Sequence, residues 1–188
     1  RNYLTKKNII LLDRDGILNK KAEKARYVTK WEEFFFIKKN IEGLKKLAKK
    51  NFNFIVITNQ AGLNRGIIKQ KDFDYINKKM ILELKKHGIK VLKVYYCPHH
   101  WDEKCLCRKP NAQMFFDASK EYSFRLDQVV YVGDDPRDMM AVNNAKSYGV
   151  FIGNEKHLKG INTTKVITTS NSILEAEKNI SQFYDMKI

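Results

Sequence analysis

The chain is predicted to be an α/β protein: a doubly wound, mainly parallel, Rossmann-like sheet with helices on both faces and no large cap domain. Short aliphatic runs alternate with stretches of helical periodicity along all 188 residues, the mark of repeated β-α-β units. Runs such as Ile9-Ile10-Leu11-Leu12 lack the in-and-out alternation of a half-solvated strand and read as strands covered on both faces. Three of these runs stop abruptly in carboxylates, a hydroxyl or amides. Ligands of an open α/β sheet bind there, outside the carboxyl ends of its strands.

The first strand, 9–12, runs into Asp13-Arg14-Asp15-Gly16, and the polar stretch 19–30 is expected to loop near the sheet's working edge. Ile41, Leu44, Leu47 and Ala48 share one helical face, which predicts a helix over 40–50. A strand over 52–57 ends in Thr58-Asn59-Gln60-Ala61-Gly62. Phe73, Ile76, Met80, Ile81 and Leu84 mark an amphipathic helix stopped at His87-Gly88. A strand over 89–96 leads into the cysteine-bearing loop 97–107, and a helix over 111–122 follows Arg108-Lys109-Pro110. The strand 128–132 ends in Gly133-Asp134-Asp135. A helix over 136–144, a strand over 148–152, a short edge strand at Val166 and Ile167 and a helix over 172–183 follow. With no internal repeat or dividing linker, residues 1–188 are expected to form one domain.

No stretch approaches the ~20 apolar residues of a membrane helix, and no signal-peptide pattern opens the sequence; a cytoplasmic protein without a membrane partner is expected. The net charge of +15 fits either an affinity for nucleic acid and phosphorylated molecules or a solvated lysine surface. Lysines are spread along the whole chain with no dense basic tract, which favours the surface reading: nucleic acid is not expected as a partner, and a monomer is. The three cysteines fall between 97 and 107 and cannot form a disulfide framework. Cys97, His99, Cys105 and Cys107 instead supply three sulfurs and one imidazole, the complement of a closed tetrahedral zinc site, with His100 spare. A closed site stiffens a loop and does no chemistry.

Asp13, Asp15, Thr58, Asn59, Asp134 and Asp135 are thus expected at one edge, with Lys109 at the head of a helix between them. They offer carboxylates for a hard cation such as magnesium, a hydroxyl and an ammonium for phosphate oxygens, and one carboxylate free as nucleophile. In their order these segments resemble the motifs of haloacid dehalogenase-like phosphatases: Asp13-Arg14-Asp15-Gly16, Thr58-Asn59, Lys109, then Gly133-Asp134 with Asp138. The resemblance implies a phosphoric monoester hydrolase. In it Asp13 would form an aspartyl-phosphate, Asp15 would act as acid and then base, and Thr58 and Lys109 would hold the phosphate. Asp13, Asp134 and the backbone carbonyl of Asp15 would bind magnesium. Asp135 and Asp138 would either orient these groups or cap the following helix.

The cysteine loop continuing into Arg108-Lys109-Pro110, and the stretch Thr58-Asn59-Gln60-Ala61-Gly62-Leu63-Asn64-Arg65-Gly66, are similar to the heptose 1,7-bisphosphate phosphatase branch and the related histidinol-phosphate phosphatases. That narrower resemblance implies a small sugar phosphate as substrate. The specific reaction would be loss of the 7-phosphate of D-glycero-D-manno-heptose 1,7-bisphosphate, in bacterial heptose synthesis for lipopolysaccharide or surface glycan. Asn59, Gln60, Arg65 and Arg108 would line the pocket, the planar arginine fork matching a second phosphate. Two departures stand out: Ile17 where the wider family has threonine, and Asn111-Ala112-Gln113 in place of a Pro-Gly pair. The alternatives are histidinol-phosphate phosphatase, polynucleotide 3'-phosphatase, and a non-catalytic binding module, against which the intact acids argue.

Overall fold

β1 (Asn8–Leu12) is the strand on which the sheet is centred, and its aliphatic residues are buried because helices cover both of its faces. Ile10 and Leu12 pack to one side, Ile9 and Leu11 to the other, so an unbroken apolar run is what this position requires. β2 (Phe52–Asn59), β3 (Val91–Cys97), β4 (Val130–Gly133), β5 (Tyr148–Ile152) and β6 (Val166–Ser170) join it in the order β3-β2-β1-β4-β5-β6. Every adjacent pair is parallel. α1 (Lys38–Lys49), α2 (Gln70–Lys86) and α5 (Ile173–Met186) cover the Ile10 face; α3 (Gln113–Tyr122) and α4 (Pro136–Ala145) cover the Ile9 face. The structure is a computed structural model that describes residues 8–23 and 26–186. Among them no helix is long and apolar enough to cross a membrane, and no cap domain stands over the strand ends.

Several boundaries differ from the sequence expectation for physical reasons. β2 runs past 57, so Thr58 and Asn59 are strand residues level with Tyr96 and Cys97. β3 starts at 91 because Gly88, at φ +77°, and Ile89 still close α2: Ile89 N–H donates to Leu84 O at 3.0 Å. A 3-10 turn at Leu126–Gln128 delays β4. The edge strand is longer than Val166 and Ile167 because Thr168, Thr169 and Ser170 continue the pairing with β5.

Ile17 leaves the loop after the acids firmly held. Its side chain is fully buried, and its carbonyl accepts from Asn40 Nδ2 at 2.8 Å, while Asn40 Oδ1 accepts from Ile173 N–H at 2.8 Å. Asn40 therefore ties that loop to α1 and to the start of α5. At the other end of α5, Tyr184 Oη donates to Ile9 O and accepts from Val130 N–H at 3.1 Å.

Candidate active site

Register brings the polar strand ends together. Leu12 pairs with both Val56 and Val132, so Asp13, Thr58 and Asp134 emerge nearly level. A cavity of about 420 Å³ opens above them, with Asp13 on its floor, 8% exposed. Two glycines permit the close approach. A Cβ on Gly16, at φ +90°, would collide with the Asp134 carboxylate, and one on Gly133 with that of Asp138.

Lys109 reaches into the floor from the loop before α3. Its Nζ lies 3.3 Å from Asp13 Oδ1 and 2.8 Å from Asp138 Oδ1, and donates to Tyr131 Oη at 2.6 Å. Asn59 clamps the Lys109 backbone, accepting from its N–H at 2.9 Å and donating to its carbonyl at 3.2 Å. Asn59 thus positions Lys109 where substrate contact was expected. Burial works against the Lys109 charge, but Asp13 and Asp138 hold its pKa above the ordinary lysine value. For Asp13 burial dominates: despite Lys109 it is pushed up to about 7, with Asp138, Asp134 and Asp15 adding to the rise.

Arg14 went unassigned in the sequence, yet it is one of the most deeply buried large side chains, 1% exposed. Its guanidinium donates to Asp15 at 3.2 and 3.3 Å, to Asn77 Oδ1 at 3.0 Å and to Gln60 Oε1 at 3.3 Å. It also lies near the rings of Phe34 and Phe73, 5.8 and 5.4 Å from their centroids. Gln60 Nε2 donates to Asp15 Oδ2 at 2.6 Å, and Asn19 Nδ2 to Oδ1 at 2.9 Å. Burial alone would raise the Asp15 pKa; Arg14 and these hydrogen bonds outweigh it and hold the carboxyl below its usual range. Gln60 lines the cavity, but its amide is spent on aiming Asp15. A usable signal existed, since successive residues leaving a strand point opposite ways, which turns Arg14 inward when Asp13 and Asp15 face the cavity.

Asp13, Asp134 and Asp138 each place an oxygen within 4.8 Å of the others. Asp138 is already committed: Oδ1 faces Lys109, and Oδ2 accepts from the N–H groups of Asp134 and Asp135 at 3.1 Å. It therefore both caps α4 and orients Lys109. Asp135 is the N-cap, accepting from Arg137 N–H at 2.9 Å. Asp134 keeps Oδ1 buried and without a partner, while its Oδ2 meets Lys21 Nζ at 3.0 Å. An orphaned buried carboxylate oxygen beside Asp13 fits a hard divalent cation with oxygen ligands. The Asp15 side chain is tied up elsewhere, leaving its backbone carbonyl for the expected role.

The second donor cluster forms the rim. Ligand atoms of Cys97, His99, Cys105 and Cys107 lie within 4.8 Å of one another. His99 Nδ1 is 3.3 Å from Cys97 Sγ and 3.1 Å from Cys107 Sγ, and Cys105 Sγ is 3.8 Å from Cys97 Sγ. Cys97 and Cys107 are also in disulfide contact. A disulfide accounts for two of the four groups. Convergence of an imidazole and a third thiol at distances near the roughly 3.5–3.8 Å edge of a zinc tetrahedron fits a four-ligand metal site. The loop is tied to its surroundings: Arg108 Nη1 donates to His99 O at 3.2 Å, and Asn111 Nδ2 to Cys105 O at 2.9 Å. Asn111 thus joins the head of α3 to the loop.

Arg108 lines the cavity as expected; Arg65 does not. It is exposed, its Nη1 3.2 Å from Tyr27 Oη and its guanidinium 6.0 Å from that ring's centroid, because the turn from Ala61 carries it outward. Arg65 braces Tyr27, and Tyr27 forms the wall. Lys21, Arg26 and Arg137 also line the cavity. The expected loop over 19–30 brings Lys21 and Arg26 to the site, and Arg137 stands in the first turn of α4 beside the Asp134-Asp135 strand end, but nothing in the sequence singled out these three side chains.

Floor acids, clamped lysine and a parallel sheet with no cap domain define the class: a haloacid dehalogenase-like phosphatase, a phosphoric monoester hydrolase. Residues 8–150 match the family described as polynucleotide kinase 3 phosphatase, and the chain belongs to that family. Among characterised relatives it is 33% identical to the D-glycero-alpha-D-manno-heptose-1,7-bisphosphate 7-phosphatase of Photorhabdus laumondii, over 87% of this chain and 91% of that one. It is 38% identical to the D-glycero-beta-D-manno-heptose-1,7-bisphosphate 7-phosphatase of Helicobacter pylori, over 73% and 78%. The crystal structure of the D,D-heptose 1,7-bisphosphate phosphatase from B. bronchiseptica, complexed with magnesium and phosphate, superposes with a TM-score of 0.84 at 28% identity, covering 93% of this chain and 98% of that one.

Proposed function

We propose that the protein is a single-domain, magnesium-dependent phosphatase that removes the 7-phosphate of D-glycero-D-manno-heptose 1,7-bisphosphate in the cytoplasm. The observation that carries this reading is the buried Asp13 carboxylate on the cavity floor, 3.3 Å from the Lys109 ammonium and grouped with Asp134. Asp13 attacks the phosphorus and forms an aspartyl-phosphate, while Thr58 and Lys109 take up phosphoryl oxygens. Magnesium, held by Asp13, Asp134 and the Asp15 carbonyl, supplies positive charge against those oxygens. Asp15 protonates the departing sugar oxygen, then takes a proton from the hydrolytic water. A phosphate dianion beside Asp15 opposes the effect of Arg14 and lifts its pKa, so the proton is acquired as substrate binds. Cys97, His99, Cys105 and Cys107 would hold a structural zinc, which would stiffen the loop whose His99 carbonyl accepts from Arg108.

A cavity of about 420 Å³ walled by loops suits a compact sugar bisphosphate better than a polynucleotide. Histidinol phosphate would bring a cationic amine toward Arg108 and Arg137. The test is kcat/KM for the heptose bisphosphate, histidinol phosphate and a 3'-phosphorylated oligonucleotide, each with magnesium and with chelator. The heptose bisphosphate should lead, and chelation should stop turnover without unfolding. A different best substrate overturns the assignment; turnover persisting in chelator overturns the metal.

A further inference from the structure

We propose that Arg137 completes, with Arg108, a seat for the non-reacting phosphate, and so sets a preference for bisphosphates over monophosphates. This rests on the sugar bisphosphate reading above. Beside the catalytic cavity lies a second one of about 530 Å³, walled by Trp101, Leu106 and Asn111 among others. Among the described residues only Arg108, Lys109 and Arg137 line both, so these three mark the passage between them. Lys109 is engaged by Asp13 and Asp138, which leaves two guanidiniums at the junction.

They come from different elements. Arg108 comes from the cysteine loop and is held by a neutral carbonyl, that of His99; among the described residues it makes no salt bridge. Arg137 comes from the first turn of α4, anchored on Asp135 by Nε at 3.0 Å and Nη2 at 3.2 Å, with its side chain 53% exposed. One carboxylate serves two guanidiniums, so a second anion is what the junction lacks. The second phosphate of a sugar bisphosphate supplies it in the forked geometry arginine favours.

The competing explanation is that Arg137 only masks Asp135. Holoenzyme kcat/KM is therefore compared for heptose 1,7-bisphosphate and heptose 7-phosphate in wild type, Arg137→Ala, Arg137→Lys and the double variant Asp135→Asn/Arg137→Ala. Arg137→Ala should lower the bisphosphate-to-monophosphate ratio about tenfold or more, mainly through KM. Arg137→Lys should recover part of it, and the double variant should not. A ratio within about twofold of wild type in Arg137→Ala, or full recovery in the double variant, overturns the proposal. So does a wild type with no bisphosphate preference. If heptose compounds prove poor substrates, the functional reading fails on its own, and the same ratio for fructose 1,6-bisphosphate and fructose 6-phosphate still decides the role of Arg137.

Discussion

The floor of the cavity and its rim are built by different means. Asp13, Thr58 and Asp134 stand at the ends of three neighbouring strands, where sheet register fixes their spacing. Arg108, Tyr27 and Lys21 stand on loops that hold their shape by leaning on one another: Arg108 on His99, Tyr27 on Arg65 and Lys21 on Asp134. In the proposed reaction, chemistry would thus be carried by the part of the molecule that folding determines most strongly, and substrate choice by the part easiest to alter. Damage to the floor should remove turnover and spare the fold. Damage to the rim should change which phosphate ester is preferred.

The largest effect is expected from Asp13→Asn, which removes the attacking charge and nearly keeps the shape. Turnover should fall by roughly 10³ or more. In chelator the same variant should gain stability in a pH-dependent way. Burial pushes the Asp13 pKa from 3.8 up to about 7, so ionising it costs the folded state more and more as pH rises between those values. The melting advantage of Asp13→Asn over wild type should grow from about pH 4 to pH 7 and then level off. An advantage that does not vary with pH would show that Asp13 lacks this environment.

Cys105→Ser tests the rim at its anchor. Elemental analysis should find about one zinc per wild-type chain and less in the variant, with a lower Tm. As the loop slackens, kcat/KM should fall further for the heptose bisphosphate than for an aryl phosphate, because Arg108 loses its hold on His99. A wild type free of zinc, with melting and activity unaffected by the substitution, would dispose of the structural metal.

Arg65→Ala should do least. Its guanidinium touches the outside of Tyr27, so kcat/KM should change by less than about threefold, against about tenfold or more for Arg108→Ala. Equal losses would put Arg65 back in the pocket.

The same division governs what could be read in the sequence. Asp13, Thr58 and Asp134 were legible because abrupt polar endings on buried runs leave few places for them in a parallel sheet, whereas Lys109, on the loop before α3, was singled out by the order of motifs it shares with the family. Each of the five α-helices among the described residues was placed in the sequence, two of them by periodicity, while the short 3-10 turns were not, and Gly88 with Ile89 shifted the start of β3. The rim was less legible because direction there is set by tertiary contacts. Arg65 follows a turn that points it outward, and the Gln60 amide goes to Asp15 instead of the open cavity. Arg14 was missed for another reason: a charge between two acids looks solvated, although the alternation along the strand end already turned it inward, where Phe34, Phe73 and Asn77 surround it.

Tyr184 carries a consequence of its own. By bonding Ile9 and Val130 it sets the end of α5 against the start of β1, at the side of the sheet away from the cavity. A short linker would then join residue 186 to residue 8 without crossing the active site. New ends opened at the exposed Gly160, where a side chain would meet nothing within 4 Å, would interrupt neither floor nor rim. A circular permutant opened there should assemble the same sheet in the same strand order.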